Sequence, residues 1–275
     1  ALIQQKTQEL QSQVMDFKTS DKEYTLNTLI EKASRKVVRQ TVGDYLNDYI
    51  IRLQAEKRVG NAKTFQELRT SLTKFCHSLD FYFIDIDTEW LKRYEQWLRV
   101  EKRYSDNSIG IRFRSLRVLY NNAITDGLIK KTDYPFDTFK VSKFKEATAK
   151  RSLTKEDIRR IMDCEVRTLT KYPKPFLQLA KDLFLFSYLS CGINLTDILH
   201  IRHVDIVDGR LVINRQKTGK LLSFQLQPAA LDILDKYRQP NAHPQDYIFP
   251  VLRRSVHVTA QQQYGRVQRT NKRIN

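Results

Sequence analysis

Cysteine is scarce, uninterrupted apolar runs are short, and acidic residues are outnumbered; each shortage closes off a class of protein. The three cysteines, Cys76, Cys164 and Cys191, are odd in number and far apart with no Cys-x-x-Cys pair, which argues against a disulfide framework and against a zinc site. Cys191 reads as a small buried residue. The longest apolar region, 175–193, is broken by Lys181 and Asp182, and the first residues show no basic-then-apolar signal pattern. A soluble intracellular protein without membrane contact is expected. Asp and Glu number 31 against 48 Lys and Arg, a formal charge of +17 over 275 residues, and such a surplus points to a polyanionic partner. Hydrophobic residues make up 41%, enough for packed cores, and the length suits two domains better than one.

Residues 1–40 are polar and rich in Gln and Lys, with sparse apolar positions such as Leu10 and Phe17, and read as a helical connector. From Thr41, a plausible N-cap, the pattern sharpens: Val42, Tyr45, Tyr49 and Leu53 repeat at helical spacing, then Phe65, Leu68, Leu72 and Phe75. Phe81 to Ile86 reads as a buried loop or a strand. Thr88 is expected to cap a third helix with Leu91, Tyr94, Trp97 and Leu98 inward. Asn107 or Ser108 is expected to cap a fourth with Ile109, Phe113, Leu116, Tyr120 and Ala123 inward, ended by Gly127. Four helices over 41–140 make a small all-α domain. Arg112, Arg114 and Arg117 fall off the fourth apolar stripe, where they form either a solvated face or a set of phosphate contacts. Residues 141–151 include Lys143, Lys145 and Lys150 and have few apolar residues. They read as an interdomain linker, either a plain tether or one that also tracks a phosphate backbone.

A second domain, 152–275, opens at Leu153-Thr154, with Thr154 and Asp157 at capping-box spacing. A long helix through Phe176, Leu179, Leu183 and Ser187 is apolar enough to be its central element. Then come a Gly turn at Gly192 and a further helix with Leu195, Ile198, Leu199 and Ile201 facing a core. Leu211, Val212 and Ile213 read as a strand running into a turn at Thr218-Gly219, and Leu222, Phe224 and Leu226 return at period two, which puts Lys217 at a hairpin tip. Pro228 opens another helix through Leu231 and Leu234, and 244–250 reads as extended. Residues 251–275 hold Arg253, Arg254, Arg266, Arg269, Lys272 and Arg273 with no acidic residue; such a tail frays as often as it binds, but Tyr264 and Val267 among the charges suggest a helix in contact with something. The expected class is mainly α with a small antiparallel β-sheet. No RNA-binding signature such as an RRM or KH motif is present.

This order of parts resembles the tyrosine recombinase, or phage-integrase, family from about Thr41 to the end. The first signature of that family has the form Thr-Gly-Leu-Arg-x-x-Glu-Leu, and the matching residues are Cys191-Gly192-Ile193-Asn194-Leu195-Thr196-Asp197-Ile198. Its hairpin lysine matches Lys217 in Lys217-Thr218-Gly219, and the Leu153-Thr154-x-x-Asp157 start and Tyr247-Ile248-Phe249-Pro250 fit as well. The resemblance implies a core-binding SAM-like bundle joined to an α+β catalytic domain. It also implies the integrase of a phage or integrative mobile element, acting as a homotetramer on a double-stranded DNA recombination site at the bacterial nucleoid, with a host DNA-bending factor as an accessory. The implied chemistry is attack of a tyrosine on a phosphodiester to give a 3′-phosphotyrosine, with no metal or other cofactor. Lys217 would protonate the leaving 5′ oxygen, Asp197 would orient its neighbours, and Lys220, Arg202, Arg266 and Arg269 would contact DNA.

Two departures stand out. Asn194 occupies the place of the first catalytic arginine, and an amide carries no charge. Arg215 would supply the missing cation, projecting from the same face of an extended strand as Lys217. Alternatively Arg202, two turns along the helix from Asn194, would do so. The His-x-x-Arg box and the nucleophilic Tyr of the family would follow a helix such as 266–275, and His200, His203, His243 and His257 lack that pattern. The expectation is therefore that these residues bind DNA without cutting it. The competing reading is a non-catalytic DNA-binding protein of the same architecture.

Overall fold

The computed structural model describes residues 40–147, 152–166 and 176–274, with isolated positions elsewhere; Lys150 and most of 1–40 lie outside the described residues. The chain divides into two compact units, one up to Ala147 and one from Thr148. The first contains helices α1 (Val42–Ala55), α2 (Val59–Cys76), α3 (Thr88–Val100) and α4 (Asp106–Thr125). Helix α1 starts where the sequence places it, because the Thr41 hydroxyl accepts the Asp44 N–H at 3.1 Å and Asp44 adds negative charge to the first turn. The next two starts shift. Asp87, not Thr88, accepts the Trp90 N–H at 2.7 Å, since a carboxylate is the better cap. Helix α4 begins at Asp106 behind Ser105, ahead of Asn107 and Ser108. The segment 81–86 is a loop with a single 3-10 turn (Phe83–Asp85) that sinks Phe83 and Ile86 into the core.

Every inward position expected on α4, from Ile109 to Ala123, is fully buried. So are Leu91, Tyr94 and Leu98 of α3, while Trp97 packs against the edge of the core. The helix pairs are locked by aromatic contacts, Phe75 meeting Trp90 at 5.3 Å and Tyr94 meeting Phe113 at 5.5 Å between ring centroids. The linker expected from residue 141 is corrected here. Val141–Phe144 is a 3-10 turn, so its two apolar residues, three apart, point the same way into the bundle. Phe144 stacks on Phe113 with 5.1 Å between centroids, an approach that Gly110 permits: a Cβ there would stand 3.0 Å from the Phe144 Cβ. Residues 141–147 accordingly belong with the first unit.

The second unit contains α5 (Lys155–Asp163), α6 (Leu177–Leu189), α7 (Leu195–Leu199), strands β1 (Ile206–Val207), β2 (Arg210–Asn214) and β3 (Leu221–Gln225), and helices α8 (Pro228–Asp235) and α9 (Ala260–Ile274). Thr154 and Asp157 form the expected capping box, each side chain accepting the other's backbone N–H, and the Thr154 hydroxyl first, then its N–H, by donating to the Asp157 carboxyl, hold that group below its usual range. The sheet is antiparallel in the order β1-β2-β3, with Leu211 opposite Phe224 and Ile213 opposite Leu222, so one face of β2 is buried. Strand β1 has no counterpart in the sequence reading. Its signal was the dipeptide Asp208-Gly209, both residues at positive φ, which closes a two-residue hairpin onto β2. Residues 244–250 carry an isolated bridge from Tyr247 to Arg202 and no named strand.

Asp182 on α6 is the buried polar centre of this unit. Its carboxylate accepts from Lys236 Nζ at 3.0 Å, Tyr237 OH at 2.8 Å and Gln178 Nε2 at 3.1 Å, tying α6 to the end of α8. Burial and the adjacent carboxylate push the Tyr237 phenol well above its ordinary range. Among the described residues no helix is long and apolar enough to cross a membrane, and no group of His, Cys, Asp and Glu could hold a metal ion.

Candidate active site and nucleic-acid interface

Helix α6 ends in a tight reversal that sets up the site. The Gly192 N–H returns to the Ser187 carbonyl at 2.8 Å, and Cys191 and Gly192 both take left-handed conformations, with φ of 58° and 74°. This corrects Cys191: a residue at that corner points outward, and its side chain is exposed rather than buried. The Ser187 hydroxyl donates to the Ile193 carbonyl at 2.8 Å and fixes the exit of the turn.

Asn194 then caps α7, its Oδ1 accepting the Thr196 N–H at 2.9 Å. One turn later Asp197 is 4% exposed, and its two oxygens reach across to the hairpin. Oδ1 accepts the Gln216 backbone N–H at 2.7 Å, and Oδ2 lies 3.5 Å from Arg215 Nε. The hairpin is closed by Arg215 N–H to the Lys220 carbonyl at 2.9 Å and Gly219 N–H to the Arg215 carbonyl at 2.8 Å, with Gly219 at positive φ. Lys217 is exposed at its apex, and Lys220 is exposed at its foot.

The structure thus brings Asn194, Asp197 and Arg215 together and puts Lys217 two residues beyond, though not by the geometry expected. Arg215 lies past the end of β2, in the turn, so the argument from an extended strand fails; a buried carboxylate places it instead. Its side chain is 45% exposed, and its contact with Asp197 runs through Nε.

Arg202 is not two turns along the helix from Asn194, because α7 stops at Leu199. It forms a separate cluster. Its NH1 donates to Gln245 Oε1 at 2.7 Å, its backbone N–H donates to Asp205 at 2.8 Å, and its guanidinium lies 5.5 Å from the Tyr247 ring centroid. His200 Nδ1 sits 2.6 Å from the Thr196 carbonyl, and the Nδ1 atoms of His243 and His257 accept backbone N–H groups of Gln245 and Arg253, so these histidines have turn-stabilising partners.

The remaining cations divide into committed and free. Arg112 is only 14% exposed and donates twice to Glu67 at 3.1 Å, while Lys143 pairs with Glu95 and lies 4.1 Å from the Phe139 ring centroid. Arg112 is thus half-buried and paired, and Lys143 is exposed and paired. Arg114, Arg117 and Lys145 are exposed. On α9, Val267 and Thr270 are buried and Arg266 Nε donates to the Val251 carbonyl at 3.1 Å, whereas Arg269 and Lys272 are exposed. Helix α9 therefore packs on its own unit through one face and offers cations on the other.

Residues 41–145 match the phage integrase SAM-like domain family. A comparison with curated proteins finds no match. Among solved structures, a lambda integrase dimer bound to a COC′ core site is similar at 18% identity and a TM-score of 0.52, over 86% of this chain and 82% of that one. A lambda integrase tetramer bound to a Holliday junction is similar at 18% identity and a TM-score of 0.54, over 98% of this chain and 75% of that one. The mainly helical architecture and the small antiparallel sheet agree with these matches: residues 41–145 match the phage integrase SAM-like domain, and the chain has a fold similar to that of lambda integrase.

Proposed function

We propose that this chain acts in site-specific recombination, cutting and rejoining duplex DNA through a 3′-phosphotyrosine, with Lys217 as proton donor and Arg215 as the cation at the phosphate. One observation carries the reading: buried Asp197 receives both the Gln216 N–H and Arg215, so the helix capped by Asn194 holds the hairpin that ends in Lys217. In the cleavage step a tyrosine oxygen bonds to phosphorus, the bond to the 5′ oxygen breaks, and the Lys217 ammonium gives its proton to that oxygen. Arg215 faces the charge that builds on the non-bridging oxygens, and Asp197 keeps it in place. The nucleophile is assigned to none of the tyrosines present. Duplex DNA as partner and a tetrameric assembly are extended to this chain from the lambda integrase complexes.

The test uses the complete enzyme and a nicked half-site. Lys217→Ala should slow cleavage by about a hundredfold or more, the usual loss for a general acid. A substrate with a 5′ sulfur leaving group, which needs no proton, should restore that variant but not Arg215→Ala. An Arg215→Ala enzyme that cleaves at the wild-type rate removes the assignment of Arg215.

A second reading has its own support, because the Asn194 amide oxygen is engaged as a helix cap at the place where the family has a catalytic arginine. A non-catalytic DNA-binding protein of this architecture would bind duplex with strong salt dependence and form no SDS-stable adduct as the complete protein. A covalent adduct excludes it.

A further inference from the structure

Helix α9 presents a face that its own unit does not use. Its start is fixed by reciprocal hydrogen bonds, Thr259 Oγ1 accepting the Gln262 N–H at 3.2 Å and Gln262 Oε1 accepting the Thr259 N–H at 2.9 Å. Its inner side is fixed by packing. Val267 and Thr270 are buried, Arg266 Nε donates to the Val251 carbonyl, and the Arg273 guanidinium lies 5.2 Å from the Phe176 ring centroid. At 3.6 residues per turn, Gln261, Gly265, Gln268, Arg269 and Lys272 fall within an arc of about 100° opposite that buried side. Gln261, Arg269 and Lys272 are exposed, and Gly265 and Gln268 are half-buried.

The cations of this face are unpaired. Residues 260–274 hold Arg266, Arg269, Lys272 and Arg273 and no acid. Whereas Arg112, Lys143, Lys236 and Arg254 each meet a carboxylate, Arg269 and Lys272 meet none among the described residues. The Gln261 and Gln268 side-chain amides likewise have no partner among the described residues. One strip of α9 thus carries two free amides and two free cations.

Gly265 lies in the middle of that strip. A glycine inside a helix is less favourable than alanine, because it has more backbone freedom to lose. Packing does not demand it, since a Cβ there would meet only Arg269 NH1, at an ordinary 3.8 Å. Its effect is a low point where another surface can approach the helix backbone while longer side chains reach outward on either side. Amides and guanidinium groups are the two donors that bond bidentately to base edges, glutamine to adenine N6 and N7 and arginine to guanine O6 and N7. The major groove of duplex DNA, about 12 Å wide, admits an α-helix.

We propose that α9 lies in the major groove of duplex DNA and reads its sequence, with Gln261, Gln268 and Arg269 at base edges and Lys272 at a phosphate. The proposal rests on the duplex-DNA partner of the functional reading above and is independent of the cleavage step at Lys217.

The 275-residue chain is mixed with duplexes that carry a randomised central stretch, and the bound duplexes are sequenced. Wild type should enrich a defined sequence. Gln268→Ala and Arg269→Ala should each lower the preference for the enriched base about tenfold at neighbouring positions and leave the other positions as they are. Arg114→Gln, in the other unit, should weaken all duplexes alike. Gly265→Gln should raise the melting temperature, glutamine being the better helix former, and yet weaken the enriched duplex at least about tenfold. A sequence that Gln261→Ala, Gln268→Ala and Arg269→Ala all leave unchanged overturns the proposal while the DNA partner stands, as does salt-dependent binding with no enrichment. Wild-type affinity in Gly265→Gln also overturns it. Absence of any salt-dependent duplex binding overturns both readings. If melting shows that one variant fails to fold, the other alanine variants of the strip decide.

Discussion

The two units use charge in opposite ways. In the first, Arg112 and Lys143 are folded back onto Glu67 and Glu95, and the order comes from an aromatic core running through Phe75, Trp90, Tyr94, Phe113 and Phe144. In the second, buried carboxylates organise the elements: Asp182 joins α6 to the end of α8, and Asp197 joins α7 to the hairpin, while the cations they hold stay half exposed. Apolar packing makes a rigid platform, whereas a buried carboxylate aims a cation that still faces solvent. Candidate chemistry concentrates in the second arrangement.

The sharpest way to break the comparison is to remove the keystone of each unit. Phe144→Ala should cost the bundle about 3–5 kcal/mol, read as a lower denaturation midpoint, because a large ring leaves a filled core. Asp182→Ala should cost the second unit about 2–3 kcal/mol, less because Lys236 can hydrate once its partner is gone, although Tyr237 loses its acceptor. Separate unfolding transitions for the two variants would confirm that each unit has its own organising principle.

A finer test concerns the arginines of α4. Arg114→Gln should lower the slope of log affinity against log salt for duplex DNA by about 1, the loss of one phosphate contact. Arg112→Gln should leave that slope unchanged and lower stability instead, since it leaves Glu67 without its partner. The smallest effect is expected at the corner after α6. Cys191→Gly should stabilise the second unit by about 0.5–1 kcal/mol, because glycine accepts the positive φ without a Cβ penalty, and calorimetric melting reads it.

The legibility of the sequence followed the same division. Helical periodicity marked the bundle residues from Val42 to Ala123, because burial on one face of a helix repeats every three to four residues. It failed at Val141 and Phe144, where one 3-10 turn is too short to show a period, and at β1, where two residues carry no alternation. In the second unit, motif order singled out Asn194, Asp197 and Lys217, and the structure places Asn194 as the cap of α7 and Lys217 on the hairpin that Asp197 holds. Local spacing misplaced Arg215 and Arg202, because their positions depend on partners far away in the chain, such as Gln245 for Arg202. The ion pairs of Arg112 and Lys143 were hidden for the same reason: nothing near them in sequence announces Glu67 or Glu95.

The grip of Asp197 on the hairpin has a consequence for how this loop can vary. The carboxylate holds the backbone N–H of residue 216, not its side chain, so the loop tolerates almost any amino acid at that position. Proline is the exception, because it has no N–H to offer. Drift in the hairpin sequence therefore leaves its attachment intact, and the same anchor can present loops of different chemistry.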